Sequence, residues 1–351
     1  MIPTILQGHE RPITQIKYNR DGDLLFTAAK NEIPCVWFAI NGERLGSYEG
    51  HTGAIWRIDV DHDSTKFLSA STDCSVKLWD VCTGKQLESI ADDTPLRSCG
   101  FSYCGNLFFF VSDNVMGRCC QLFVVDTRVA QHILVPHQNA AIYRSSVNYK
   151  NHRVGQMKGE EHVMKMACNE STKITNAVWG PLDKTIICGY DTGRLVLVDP
   201  SSGKEILSKN PHKDIITDIQ MYHDQTMFIT GSKDYTAKLF DSYDLECHGT
   251  YTNERPVNSA SISPTQHHIL LGGGQEAKDV TTTAVSSGKF DAKLYHMIYE
   301  IEFGKIKGHF GPVNSVQFNS DGTGFATGGE DGLVRVHSFD EQYYELENRL
   351  F

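Results

Sequence analysis

Apolar runs of about six residues recur along this chain, each bounded by turn residues, and their spacing repeats. Four runs begin at Ile13, Ile55, Ile216 and Val313, each four residues after a histidine: His9, His51, His212 and His309. Eighteen residues beyond each histidine stands a hydroxyl: Thr27, Ser69, Thr230 or Thr327. Twenty-two residues beyond stands Asn31, Asp73, Asp234 or Asp331, and twenty-eight beyond stands a ring, Trp37, Trp79, Phe240 or His337. Three weaker copies begin their apolar runs at Leu96, Ile174 and Val257. Within the copies, Asp21-Gly22, Cys104-Gly105 and Asp321-Gly322 mark a first hairpin turn, where glycine tolerates positive φ. The pattern predicts repeated short strands joined by tight turns.

A period of roughly 40–45 residues, opening on Gly-His and ending on Trp-Asp, is the signature of the WD40 β-propeller. Counting back four residues from each run puts blade starts near 9, 51, 92, 170, 212, 253 and 309. The steps are 42, 41, 78, 42, 41 and 56, with 42 residues left to Phe351. The predicted fold class is all-β: a seven-bladed WD40 propeller closed by the N-terminal strand. One domain then spans residues 1–351, with insertions at about 128–159 and 275–289. Ile2–Leu6 has no blade of its own and is expected beside Leu333–Phe339, where it would cover the last blade's open edge.

The repeated residue types predict a buried relay. An imidazole between a carboxylate and a hydroxyl, with an indole N–H beyond, satisfies every polar group inside a blade. Blade two alone carries the full set, His51, Ser69, Asp73 and Trp79. The expected partial relays are His9, Thr27 and Trp37; His212, Thr230 and Asp234; and His309, Thr327 and Asp331. The same residue types could form a catalytic triad, but catalysis needs one copy and this set recurs at fixed spacing. No catalytic residue is assigned.

The composition, 40% hydrophobic with mean hydropathy −0.33, suits a chain that buries a core. No apolar run is long enough for a membrane helix, and the start lacks the layout of a signal peptide. Ten cysteines stand singly apart from Cys119-Cys120, without paired metal-ligand spacing. Reduced, mostly buried thiols in the cytoplasm are expected, with no structural zinc and no cofactor. A net charge of −10 argues against DNA binding or sequence-independent RNA binding by the whole domain. The stretch between Thr127 and Ala167, which holds the first insertion, is locally basic, with Arg128, Arg144, Lys150, Arg153, Lys158 and Lys165 against Glu160 and Glu161. It is either an RNA contact within a larger assembly or a solvated insertion of the third blade, the simpler reading. Val163–Met166 is expected to return as that blade's outer strand.

Gly272-Gly273-Gly274 hints at a phosphate cradle, but no Gly-Lys-Ser/Thr follows. Close packing at a strand end explains the glycines better, as for Gly328-Gly329. Here the chain also resembles a known family. The stretch LGGGQEAKDVTTT (271–283), with GKF (288–290), GHFGP (308–312) and GGEDG (328–332), is similar to eukaryotic translation initiation factor 3 subunit i. GHERP (8–12), GDLLF (22–26), NGERLG (41–46), VWGP (178–181) and RPVN (255–258) extend the likeness over nearly the full length. The 128–159 insertion is the main departure.

The resemblance implies a non-catalytic scaffold in the cytoplasm that joins subunits b and g to the factor on the small ribosomal subunit. It also implies that subunit b presents a C-terminal helix to the fifth and sixth blades. Asp224 in blade five's first turn and Asp241 at the end of its third strand should share one face, ready for Arg or Lys of that helix. Two ordinary turn aspartates are the plainer alternative. Gln275, after its glycines in blade six, is expected near the same region. The competing function is a WD40 peptide-binding adaptor in signalling or ubiquitin transfer, since fold alone does not fix function.

Overall fold

Every described strand of the chain falls in one of seven antiparallel four-stranded sheets. The computed structural model describes residues 3–115, 118–128, 164–168, 172–274 and 290–344. The second sheet shows the plan: Ile55–Val60, Lys66–Ser71, Ser75–Asp80 and Gln86–Ala91 follow one another as a meander. Burial is greatest in the second strand, where Phe67 to Ser71 are all buried, and falls towards the outer edge, where Gln86 and Leu87 are exposed. That gradient explains the sequence pattern. Middle strands lie between neighbouring sheets and read as continuous apolar runs. Outer strands have solvent on one side and alternate.

Neighbouring sheets pack face to face. Between blades one and two, Phe26, Ala28, Val36 and Tyr48 meet Ile55, Ile58, Phe67 and Trp79. Phe26 and Phe67 stack with centroids 5.0 Å apart. Side chains of the first strands also bridge the seams. Thr14 donates to the carbonyl of Ile55, Thr175 to Ile216 and Thr217 to Val257, at 2.6–2.7 Å. Asn258 likewise reaches Val313 at 3.1 Å, and Asn314 reaches Ile13 at 2.9 Å. The last of these joins blade seven to blade one and makes the sheets a ring.

The chain start supplies a strand to the end. Thr4–Leu6 runs antiparallel to Val334–Ser338, with Thr4 opposite Val336 and Leu6 opposite Val334. Leu6 is buried beside Ile13 and Trp37 of blade one. In blade three, Met164–Ala167 is the outer strand against Gln121–Asp126. The proposed insertion at 128–159 lies outside the described residues except for Arg128, and that at 275–289 lies wholly outside them. The glycines before the second insertion are packed. A Cβ on Gly273 would sit 2.2 Å from the Pro256 carbonyl oxygen, and one on Gly328 would sit 2.5 Å from Ile13 Cγ2. Neighbouring backbone at Gly273 and the packed Ile13 side chain at Gly328 leave no room for a side chain.

The cysteines differ from expectation. Only Cys35, Cys99, Cys120 and Cys188 are buried; Cys74, Cys119 and Cys168 are half-buried, and Cys82, Cys104 and Cys247 are exposed. Cys82 and Cys104 sit in turns and Cys247 begins the outer strand Cys247–Thr252, places where a residue meets solvent whatever its polarity.

Candidate functional site

Blade two brings its four singled-out residues together. His51 Nδ1 lies 2.7 Å from Asp73 Oδ2, and Nε2 lies 2.7 Å from Ser69 Oγ. Trp79 Nε1 donates to the same Oγ at 2.9 Å. A carboxylate only accepts, so Nδ1–H points to Asp73 and Nε2 accepts the Ser69 hydroxyl proton. Burial opposes ionisation of Asp73, but hydrogen bonds from His51, Ser75 and Thr52 outweigh it and hold the carboxyl well below its usual range. The preceding glycine follows from the same packing: a Cβ on Gly50 would sit 3.2 Å from Trp79 Cη2.

Blade five repeats the first three members. His212 lies 2.9 Å from Asp234 Oδ2 and 2.7 Å from Thr230 Oγ1. Phe240 lacks an N–H and stacks on Phe228 instead. Burial again works against the Asp234 charge, yet bonds from Thr236, Lys213 and His212 lower the carboxyl to about 2.

Blade one reverses the direction. Asn31 Nδ2 donates to His9 Nδ1 at 3.3 Å, so Nε2–H must face Thr27 Oγ1 at 2.7 Å. Trp37 Nε1 donates to Thr27 at 2.9 Å. Burial, and then the Arg44 charge, lowers His9 to about 4.

Blade seven contains a member that the spacing did not reveal. His309 Nδ1 lies 3.0 Å from Asp331 Oδ1, and Nε2 lies 2.9 Å from Thr327 Oγ1. Arg335 Nη1 reaches His309 Nδ1 at 2.6 Å and Asp331 Oδ2 at 3.1 Å. A guanidinium only donates and a carboxylate only accepts, so Nδ1 serves one of the two in either tautomer, and Arg335 also meets the carboxylate directly. His337 does not complete this relay. It stacks on Phe325 at 4.7 Å with Nδ1 lacking a hydrogen-bond partner. Burial, and then the charges of His309 and Arg335, lowers it to about 4. The smaller ring leaves room for Arg335, whose Nε lies 3.3 Å from where a Gly308 Cβ would be. The guanidinium packs beside Gly308 as Trp79 packs beside Gly50, but it meets His309 and Asp331 rather than the Thr327 hydroxyl.

The axial channel is crossed by a polar plug. Arg57 of blade two donates to Asp218 of blade five at 2.7 Å. Asn176 and Ser259, from the blades on either side, donate to the same carboxylate at 3.1 and 2.5 Å. Each relay or plug residue has its partners inside the ring. Such groups stabilise; they are poorly placed to meet another molecule.

The outer faces differ. Asp224 is exposed and Asp241 half-buried, and they occupy one face because Met227 pairs with Asp241 while Ser242 N donates to the Thr226 carbonyl. Asp224 Oδ1 accepts from Thr226 N and Oγ1 at 2.8 and 2.7 Å. Asp241 Oδ1 accepts from Tyr243 N at 2.7 Å. Each carboxylate uses Oδ1 for its own turn. Around them lie exposed groups overlooked in the sequence: Tyr243, Asp244 and Glu246 from blade five, and Ile298, Tyr299 and Glu300 from blade six. Glu300 Oε1 accepts from Thr250 N at 3.1 Å and ties the two blades together. The signal available was apolar residues in a turn, where nothing in the fold requires them.

Gln275 lies outside the described residues. Gly274, just before it, sits 2.9 Å (at its Cβ position) from Pro312 Cα, at the end of strand His268–Gly273. That strand end lies on the opposite face from Asp224 and Asp241, and the expected grouping of Gln275 with them falls outside the described residues. Among the described residues no cluster of His, Cys, Asp and Glu could hold a metal, and no helix is long and apolar enough to cross a membrane.

Comparison with known proteins gives the family. A family model described as EIF3I matches residues 130–348, and the WD domain, G-beta repeat, matches 2–37 and 42–80. The chain is 50% identical over 347 residues to eukaryotic translation initiation factor 3 subunit I of Xenopus tropicalis, and 49% identical to that of Homo sapiens. The subunit of Culex quinquefasciatus is 48% identical over 348 residues; each match covers 99% of both chains. The chain therefore belongs to the family of eukaryotic translation initiation factor 3 subunit I, a WD40-repeat β-propeller.

Proposed function

We propose that this chain is a non-catalytic, cytoplasmic scaffold subunit of the initiation factor 3 complex, acting as one propeller over its whole length. It binds subunits b and g and supports preinitiation complex assembly and mRNA scanning on the small ribosomal subunit. The observation that carries this reading is the full-length likeness to proteins named as subunit I. The acidic and apolar face of blades five and six supports the mode of binding. Asp224, Asp241, Asp244 and Glu246 surround exposed Tyr243, Ile298 and Tyr299. A helix with one basic and one apolar stripe fits such a surface, through charge-assisted bonds to carboxylates and burial of aromatic rings. No resident metal or cofactor is part of the proposal.

A peptide-binding adaptor is the second reading. It has one observation in its favour, a hollow of about 610 Å³ at the axial mouth, lined by residues including Tyr18, Arg57, Tyr103 and Trp179. Sucrose-gradient sedimentation of cell lysate separates the two. The scaffold travels with small ribosomal subunits and co-purifies with subunits b and g. A protein that stays at the top of the gradient with other partners would overturn the scaffold reading.

A further inference from the structure

Two cysteines of blade three face one another across a strand pair. The register that sets Gln121 opposite Ala167 sets Cys120 opposite Cys168, and Cys168 N donates to the Cys120 carbonyl at 2.9 Å. Directly opposed residues of an antiparallel pair share a face, and a hydrogen-bonded pair has Cα atoms about 5.5 Å apart. That separation lies within the range a disulfide spans. Both side chains pack against the cluster between blades three and four, Cys120 buried and Cys168 at its half-exposed margin. Cys120 Sγ also accepts from Ile174 N at 3.4 Å, and the Tyr190 hydroxyl lies 3.9 Å from Cys168 Sγ.

We propose that Cys120 and Cys168 form a reversible redox site, in which a hydroperoxide oxidises Cys168 and Cys120 resolves the product as a disulfide. Facing each other across the strand pair, the two thiols shift one another in opposite directions. The neighbouring Cys120 thiol, with help from the Tyr190 hydroxyl and against burial, lowers Cys168; the Cys168 thiol, together with burial, raises Cys120. A lowered, accessible thiol beside a resolving thiol is the arrangement redox-sensing cysteines use. In the first step the Cys168 thiolate attacks one peroxide oxygen. An S–O bond forms to the peroxide oxygen that carries hydrogen, giving the sulfenic acid, while the O–O bond breaks and the hydroxide or alkoxide leaves and takes a proton from solvent. In the second step the Cys120 sulfur attacks Cys168 sulfur. The S–O bond breaks, and the departing hydroxide takes the Cys120 proton as water. The peroxide is reduced by two electrons and the two thiols are oxidised by two. The disulfide would pin the outer strand Met164–Ala167 to Gln121–Asp126. A cellular dithiol reductant would reverse it, consistent with the transient disulfides of reducing compartments.

The test is peptide mapping of the full-length protein under non-reducing conditions after exposure to hydrogen peroxide. A Cys120–Cys168 cross-linked peptide should dominate over every other pairing and disappear with dithiothreitol. Cys120→Ser should leave a sulfenic acid on Cys168 that a dimedone probe captures, whereas Cys168→Ser should leave Cys120 reduced. The unmodified protein is informative even if a variant folds poorly. Cys168 remaining a thiol while exposed Cys82, Cys104 and Cys247 react would overturn the proposal. So would preferential linkage of Cys168 to Cys119 or Cys188.

Discussion

Two sets of aspartates in this propeller have the same side chain and opposite uses. Asp73, Asp234 and Asp331 lie inside blades, with side chains 8–10% exposed, each against an imidazole. Asp224 and Asp241 lie on turns of blade five, each giving one oxygen to local amides. The interior carboxylates meet partners already in place, so their removal leaves buried groups unsatisfied. The surface carboxylates cost little to replace and can be met by a newcomer. Stability and binding are thereby assigned to different aspartates, and each can be altered without the other.

The largest stability loss should come from removing residues 1–6. Leu6 is buried in the seam between blades seven and one, and loss of a buried leucine side chain alone costs about 2–5 kcal/mol. The uncovered edge of Val334–Ser338 should also lower solubility. Thermal melting and size-exclusion chromatography check this. Unchanged melting of a monomer would show that the strand does not hold the ring.

His51→Ala comes next. It leaves Asp73 and Ser69 without their common partner, at about 1–3 kcal/mol for each group left unsatisfied. Melting should fall while binding to each partner survives in the folded fraction. Arg335→Met should act similarly in blade seven, whereas Lys77→Met, at the matching position of blade two, should be nearly silent. Lys77 is paired with Gln86 at an exposed site. Equal losses from the two would remove Arg335 from the relay.

Acid should act in two stages. His9 and His337 titrate at about 4 when folded, against about 6.5 when unfolded. The unfolded chain therefore binds more protons between these values, and stability falls as pH drops from about 6.5 to 4. Asp73 and Asp234 have lowered folded values, the latter about 2, so their contribution is present above about 4 and lost as pH falls below it. His337→Phe keeps the stacking on Phe325, removes the unpartnered Nδ1 and should shallow the first stage. Urea midpoints measured from pH 7 to 4 check this; an unchanged slope would mean His337 does not titrate as described.

The relays were legible because their spacing is local. The histidine lies four residues before a blade's first strand and the hydroxyl lies in its second, so the lengths of the first strand and its turn fix the offset. Arg335 was hidden because Cys35, Lys77 and Lys238 hold the same offset, and only the missing indole at His337 makes room for a guanidinium. The Arg57–Asp218 plug joins residues 161 apart, across a channel whose closure no local pattern encodes. The seam bonds of Thr14, Thr175, Thr217, Asn258 and Asn314 depend on the next blade's position and were likewise invisible. Asp224 and Asp241 could be placed on one face from strand alternation alone. Their apolar neighbours Ile298 and Tyr299 come from another blade and needed the ring.

The smallest stability change should come from Asp224→Lys with Asp241→Lys, within about 0.5 kcal/mol of the parent for exposed turn positions. The same substitutions should have the largest effect on binding. Calorimetric titration of the folded double variant with the C-terminal helix of subunit b tests the separation of stability from binding most directly. Like-charge repulsion should weaken the complex by at least about 100-fold while melting stays that of the parent. A double variant that folds and binds as the parent does would contradict the account and move the interface off this face.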